Sequence, residues 1–359
     1  MTMTMPIAGF NRSGGVKTLV LLANAIAARG WHVRVLAPDD ASESPFELLP
    51  QIEVRRLRVP SWPRPLRVAA FYLQLALTVA RDTDLCLANF YLTAYCAWLS
   101  ALLHRRARAI YFLQGDEAES HGRLAAAAPA SRWLRFALAR GSYRLPLPML
   151  CVSRWLRRQV GRPDATVIGQ GIDLTVFHAR ERVAGPGRAI VGTIGSPARV
   201  KGYPDVLAAL RLISAAAFEL LVVGADAMAA PDGVHGRGVT ASTETEMAAF
   251  YRQCDVFVFA SHREGFGLPP LEAMASGCAV VTTDCGGVND FTRDGENCLM
   301  VAPGDSRALA AAIERLVDDA PLRARLSAEA VRTAAMWPRE RMIQAFIEVV
   351  TSEGRAPSH

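Results

Sequence analysis

Residues 255–277 read DVFVFASHREGFGLPPLEAMASG, and the fold is decided by how they are divided. The apolar run 255–260 predicts a buried strand, and Pro269 and Pro270 suit the first positions of a helix that Gly277 ends. Between them lies a loop of Gly265, Phe266, Gly267 and Leu268, flanked by Glu264 and by Glu272, which this division puts in the first helical turn. Backbone N–H groups around Gly267 and Leu268 are open to an anion. Glu272 can accept hydrogen bonds from two vicinal hydroxyls, as on a ribose, and Glu264 can do the same for another polyol. On spacing alone a capping residue plus a surface charge is the stronger account.

The same strand–loop–helix rhythm runs outward from this unit. Strand-like runs fall at 32–37, 84–88, 109–113, 149–152, 189–194, 219–223 and 278–282. Helix-like segments fall at 15–29, 67–81, 92–104, 131–141, 153–160, 203–214, 243–252 and 306–318. Short apolar strands alternating with helices predict an α/β chain with doubly wound parallel sheets. A break at 179–189 (ARERVAGPGRA) divides the chain into two Rossmann-like domains, 1–180 and 187–337, facing across a cleft. The tract AAAAPAS at 125–131 reads as a loop. Pro6 is awkward in a first strand if that strand is central.

A length of 359 residues, 51% hydrophobic and 21% charged, fits two globular domains. The longest apolar segment, 68–80, is too short for a membrane span, and the N-terminus lacks a leader-like basic start and apolar run. Seven scattered cysteines without metal spacing predict reduced thiols and a cytoplasmic setting. Charge is uneven: residues 1–180 hold 23 Lys/Arg and 12 Asp/Glu, whereas 181–359 hold 17 and 22. Such asymmetry points to an anionic surface partner of the first half. Only Lys17 and Lys201 are lysines, and both stand near glycines at a predicted helix mouth.

Two further loops have the character of phosphate sites. Gly14 and Gly15 open a predicted helix; a ligand site and a tight strand–helix turn are equally good readings. A P-loop would need its lysine at 15, so Lys17 comes two residues late. In VGTIGSPARVKGYPDVLAAL (191–210) a strand ends at Gly195, and Arg199 and Lys201 precede a helix. That pair is a candidate diphosphate clamp, or a solvated basic loop.

Taken together, these stretches resemble the family-4 retaining glycosyltransferases of the GT-B fold. Glu264-Gly-Phe-Gly-Leu-Pro-Pro-Leu-Glu272 is similar to that family's Glu-x7-Glu signature, and the likeness continues through 280–305, 151–177 and the Gly-Gly opening. The resemblance implies that Glu272 binds the ribose of a nucleotide sugar, UDP- or GDP-linked, and Glu264 the transferred sugar. It also implies that Gly195, the loop Gly265–Leu268, Lys201 and Arg199 serve the diphosphate, with Gly14 and Gly15 approaching it from the first domain. A helix at 339–350, after Trp337-Pro338, would cross back to that domain. Ser196 stands where the family often has Arg. Gln114 occupies the place of a common histidine, followed by Asp116 and Glu117, so Gln114 and Asp116 are the acceptor or sugar contacts to examine.

The expected activity is therefore metal-independent transfer of a sugar, with retention, to a hydroxyl of a glycan, glycolipid or lipid-linked acceptor, without a cofactor. A sugar-nucleotide epimerase of the same fold, a P-loop NTPase and a non-catalytic nucleotide-sugar binder are the alternatives. Asp82-Thr83-Asp84 spells a metal-binding DxD but precedes a buried strand, and His262 reads as structural. Nine arginines and no acid lie between Glu119 and Asp164, interleaved with Trp133, Phe136, Tyr143 and Trp155. Arg132, Arg135, Arg140 and Arg144 suit an anionic membrane on its inner face, or a solvated helix surface; no nucleic-acid module is visible.

Overall fold

The computed structural model describes residues 1–352 except 60, 62–63, 82, 104–107, 124–128, 180–187, 215 and 225–233. The chain forms two compact units, Met1–Gly169 joined by the segment from Ile343, and Gln170–Met342. Most of the expected interdomain break at 179–189 and of the 125–131 loop, and Asp82, lie outside the described residues; Pro129 already begins a helix.

Unit 1 runs β1 (Thr2–Pro6), α1 (Gly14–Ala27), β2 (His32–Pro38), β3 (Glu53–Leu57), α2 (Arg64–Arg81), β4 (Leu85–Ala88) and α3 (Tyr91–Leu103). It continues with β5 (Arg108–Leu113), a π-helical turn (Ala118–Arg123), α4 (Pro129–Ser142), β6 (Met149–Cys151), α5 (Arg154–Val160) and β7 (Thr166–Val167). Its sheet is parallel, in the order β3-β2-β1-β4-β5-β6-β7. β1 is central despite Pro6. Its pairing with β4 ends at Thr4–Cys86, so the missing N–H falls beyond the last paired residue on that side. The Pro6 carbonyl instead accepts from Asn89 Nδ2 at 2.6 Å. Asp84 is committed to the first strand as well, accepting from the Thr2 N–H at 2.7 Å.

Unit 2 contains β8 (Ala189–Ile194), a 3₁₀ turn (Arg199–Lys201), α6 (Tyr203–Leu210), β9 (Phe218–Val223), β10 (Gly236–Val239), α7 (Glu244–Tyr251) and β11 (Val256–Phe259). Next come α8 (Leu268–Ala275), β12 (Ala279–Thr283), a 3₁₀ turn (Gly287–Asp290), β13 (Leu299–Val301), α9 (Ser306–Asp318) and α10 (Ala320–Ala335); α11 (Arg339–Ser352) begins in unit 2 and from Ile343 onward belongs to unit 1. The sheet order is β10-β9-β8-β11-β12-β13, again parallel. Val191, Leu220, Val258 and Val281 pack with Ile313 and Leu316 of α9 in its core. All seven cysteines are free and buried.

In both sheets the strand order reverses about the first strand, between β1 and β4 and between β8 and β11. Loops leaving the carboxyl ends of such a pair diverge and open a crevice. In unit 2 the two loops are locked by a close backbone approach. Gly202, at φ +68°, caps α6, and a Cβ there would stand 1.8 Å from the Ala260 carbonyl oxygen. Gly202→Ala must therefore displace the loop as well as strain the backbone. It should destabilise the protein by at least about 1–3 kcal/mol in urea denaturation, and an unchanged midpoint would contradict the packing described.

Candidate active site

The loop after β8 carries Arg199 and Lys201, and the loop after β11 carries Glu264. Lys201 Nζ lies 2.8 Å from Glu264 Oε1. Ser261, fully buried, places its hydroxyl 2.7 Å from the same oxygen and 3.1 Å from the Val200 carbonyl, to which the His262 N–H also donates at 2.8 Å. Glu264 is fixed at its backbone too: its N–H donates to Cys285 O, and its carbonyl accepts from the Gly287 N–H. Residues that the sequence assigned to separate parts of a ligand thus form one cluster. His262 is exposed and pairs with Asp205 of α6, so it braces the loop. Arg199 is exposed and makes no ion pair among the described residues.

Glu272 differs from the expectation. α8 begins at Leu268, so Pro269 and Pro270 are its second and third residues and Glu272 is its fifth, outside the first turn. The cause is Gly267, which caps the helix at φ +92°, where a Cβ would press to 2.6 Å from Val288 Cγ1. The helix dipole is consequently a weaker influence on Glu272 than a direct partner: the buried Tyr251 hydroxyl donates to Glu272 Oε2 at 3.1 Å. Burial, then the Glu272 charge, pushes the Tyr251 phenol well above its ordinary range, so it remains a donor. Phe266 turns its ring inward, 5.3 Å from both Phe291 and Trp337, and anchors the loop. Tyr251 and Ser261 are positioning groups that the sequence did not reveal.

In unit 1, Gly14 and Gly15 form the first turn of α1, which Ser13 caps by accepting from the Val16 N–H. Lys17 is the fourth helical residue, two positions later than the GxxxxGK[ST] spacing from Gly9 would put the P-loop lysine. Gln114 Nε2 donates to Gly15 O at 3.2 Å, while its Oε1 is buried without a partner among the described residues. The Asp116 carboxylate accepts from Tyr143 O–H and Glu119 N–H. It is the next residue, Glu117, that lines a cavity beside Gln114 and Gly15. Among the described residues no cluster of His, Cys, Asp or Glu could hold a metal ion.

Two doubly wound parallel-sheet units, with clustered side chains at a switch point, define a GT-B chain. Residues 12–176 match the model described as Glycosyltransferase Family 4, and residues 188–319 match that of Glycosyl transferases group 1. The chain belongs to this glycosyltransferase family. It is 31% identical over 231 residues to the lipopolysaccharide core biosynthesis mannosyltransferase LpcC of Rhizobium leguminosarum bv. viciae, covering 52% of this chain and 65% of that protein. It is 34% identical over 205 residues to the D-inositol 3-phosphate glycosyltransferase of Stackebrandtia nassauensis, covering 49% and 46%. The matches span about a third to two thirds of the length of the first curated relatives. Sucrose-phosphate synthase (tll1590) from Thermosynechococcus elongatus shares the fold at a TM-score of 0.83 and 20% identity, over 99% of this chain and all of that one. Anabaena Alr3699/HepE, solved in complex with UDP-glucose, aligns at 0.74 and 19% identity over 98% of this chain and all of its own.

Burial raises the Glu117 carboxyl from an ordinary 4.5 to about 8. The folded state therefore holds this proton more tightly than the unfolded chain. Its contribution is full below about pH 4.5 and is lost as pH rises towards 8. Glu117→Gln should flatten the decline in urea midpoint between pH 5 and 8; an identical decline in the variant would show that other groups cause it.

Proposed function

We propose that the protein is a retaining glycosyltransferase that moves a sugar from a nucleotide diphosphate to an acceptor hydroxyl. The observation that carries this reading is the meeting of Lys201 and Glu264 at 2.8 Å, from the two loops of the unit 2 switch point. Glu272, held by Tyr251, belongs to the helix that follows the second loop. Glu272 binds ribose hydroxyls and Glu264 the transferred sugar. The Gly267 and Leu268 amides, Lys201 and Arg199 offset charge growing on the departing diphosphate. With those cations as electrophiles, the reaction needs no metal or other cofactor, and a phosphate oxygen of the donor can take the acceptor proton. The HepE complex with UDP-glucose and the mannosyltransferase relative support a nucleotide-sugar donor and a glycan acceptor.

Titration with UDP and GDP, and turnover with their hexose conjugates, test the assignments. Glu272→Ala should weaken nucleotide binding by about 1–3 kcal/mol, and unchanged affinity removes the ribose role. Glu264→Ala should not weaken bare nucleotide binding but should lower turnover; equal damage to both means that the donor runs the other way. Lys201→Ala should cost roughly 10²–10³-fold in turnover. Activity should survive EDTA, and the product should keep the donor's anomeric configuration. Metal dependence or inversion refutes the mechanism.

We also propose that unit 1 docks on an anionic membrane, on a narrower surface than the arginine count suggests. Trp133 (71% exposed) and Leu134 (53%) project from α4, with exposed Arg140 and Arg144 at its other end. Leu66, Leu73 and Leu77 add an exposed stripe on α2. Tyr143 is buried, Arg132 and Arg135 are half-buried, and Arg162 is tied to Asp164 and three backbone carbonyls. No helix among the described residues is long and apolar enough to cross a membrane. Sedimentation with anionic but not neutral liposomes, weakened by salt and by Trp133→Ser with Arg140→Ser and Arg144→Ser, is expected. Wild-type protein that ignores anionic liposomes at low salt rules docking out.

A further inference from the structure

A cavity of about 460 Å³ lies at the other rim of the unit 1 sheet, between the end of α4, the turn that leads into β6, and the end of α5. Its lining includes Arg140, Arg144 and Arg162 and no Asp or Glu. These segments precede β6 and β7, so they stand at the amino ends of the parallel strands. The crevice of a switch point opens at the carboxyl ends. A ligand held here is therefore separate from one held beside Gln114 and the first turn of α1.

Arg162 builds the floor. Its Nε and Nη2 donate to Asp164 at 2.9 and 2.7 Å, its Nη1 to the carbonyls of Tyr143 and Leu145, and its Nη2 also to that of Leu147. All five guanidinium N–H groups are thereby used, and the charge is paired. The carboxyl ends of α4 and α5 carry partial negative charge, which by itself opposes an anion. Here those carbonyls already have donors. Arg157 and Arg158 accept from the Gly161 N–H, and Gly141 and Ser142 accept from the N–H groups of Arg144 and Leu145. Arg140 Nη1 reaches the Gln159 carbonyl at 3.4 Å, a long bond that uses one of its five N–H groups.

The charge that remains is cationic. Arg140 and Arg144 are exposed, and neither makes an ion pair among the described residues. No acid occurs in the sequence between Glu119 and Asp164. Two unpaired like charges in one cavity repel, and a bound anion relieves that repulsion. Guanidinium forks match phosphate oxygens, and two of them match the charge of a phosphate monoester, about −1.5 to −2 at pH 7.

We infer that this cavity binds a phosphomonoester dianion through Arg140 and Arg144, over the floor that Arg162 holds in place. The inference does not rest on the sugar-transfer reading. The docking reading uses the same two arginines, but without a pocket or a preferred headgroup. A free phosphate ester and a lipid headgroup ending in a monoester present the same dianion.

Titration calorimetry of the full chain with glycerol 3-phosphate, with saturating UDP or GDP present to occupy unit 2, tests this. Wild type should bind at pH 7.5 and about five-fold more weakly at pH 5, because the ester's second proton leaves near pH 6. Sulfate, a dianion at both values, should change by less than about two-fold. The groups facing the ligand are Arg140 of α4, Tyr143 and Arg144 of the next turn, and Arg162 with Asp164 after α5. Burial pushes the Tyr143 phenol well up, and the Arg162 hydrogen bonds hold Asp164 below its usual range, so the pH step belongs to the ester. Arg140→Gln with Arg144→Gln should weaken binding about ten-fold or more. Arg29→Gln with Arg158→Gln removes as much charge from exposed positions outside the cavity and should change binding by less than about two-fold. Absence of wild-type binding, a flat pH response, or equal losses in the two double variants overturns the inference. Phosphatidylcholine vesicles carrying phosphatidic acid or phosphatidylglycerol, matched for charge, distinguish the sources. Stronger sedimentation with phosphatidic acid, lost in the Arg140 and Arg144 variant, assigns the dianion to a lipid headgroup; no preference assigns it to a free ester. Failure of the phosphatidylglycerol arm alone removes membrane docking and leaves the cavity's ligand as titrated.

Discussion

The contact of Gly202 with the Ala260 carbonyl is the constraint from which the unit 2 site follows. No side chain fits between the two backbones, so the loop after β8 lies directly on the end of β11. Val200 can then accept from both Ser261 and His262, and Lys201 is delivered to Glu264. The ion pair itself is partly exposed, and such pairs contribute about 0–1 kcal/mol. It is an outcome of the backbone packing more than its cause. From the other side, Cys285 and Gly287 hold the Glu264 backbone, and Phe266 is clamped by Phe291 and Trp337. A flexible-looking glycine loop is thereby fixed at several points.

Both units use the same topological device with opposite electrostatics. Unit 2, the more acidic part of the sequence, concentrates two cations at its switch point. The first half is strongly basic, yet the cavity at its switch point has no cationic lining among the described residues. Its arginines serve elsewhere: Arg162 gathers three carbonyls between α4 and β6, and Arg140 and Arg144 are exposed. Net charge by half thus misdescribes the local chemistry of either crevice, because a field close to a ligand depends on which side chains line the crevice.

Central strands and most helices were legible because buried parallel strands are apolar runs and the helices between them carry apolar faces. The edges were less so. β3 is EVRRL, with only Leu57 buried, β10 is GRGV and largely exposed, and β7 has two residues. α10 was absent from the expected elements; its buried face is Leu326, Ala330 and Ala334, a weak apolar signal. Pro6 looked awkward because the sequence does not say where ladder pairing stops. The signature glutamates and Lys201 were legible as a motif, but their partners were not. Tyr251 is 21 residues from Glu272, and Tyr91 is 26 from Glu117, separations that only the fold closes. Asp116 and Glu117 are adjacent in sequence. The turn after β5 commits the first to Tyr143 and the π-helical turn, leaving the second to line the cavity.

The two signature glutamates are chemically unlike, and this gives the proposed reaction an internal order. Glu272 is buried and accepts a hydrogen bond from the neutral Tyr251 phenol. Glu264 is already compensated by Lys201, with Ser261 on the same oxygen. An incoming diphosphate competes with Glu264 for the ammonium group, since each is an anion seeking the same donor. As Lys201 turns towards phosphate, Glu264 regains hydrogen-bonding capacity, and a sugar hydroxyl is the donor that can fill it. On the proposed reading, diphosphate and sugar are then recognised jointly: a bare nucleotide would disturb the pair without replacing what Glu264 loses, whereas the intact donor would do both. The pair would therefore favour the complete donor over its own leaving group, the preference a transferase needs once the sugar has gone.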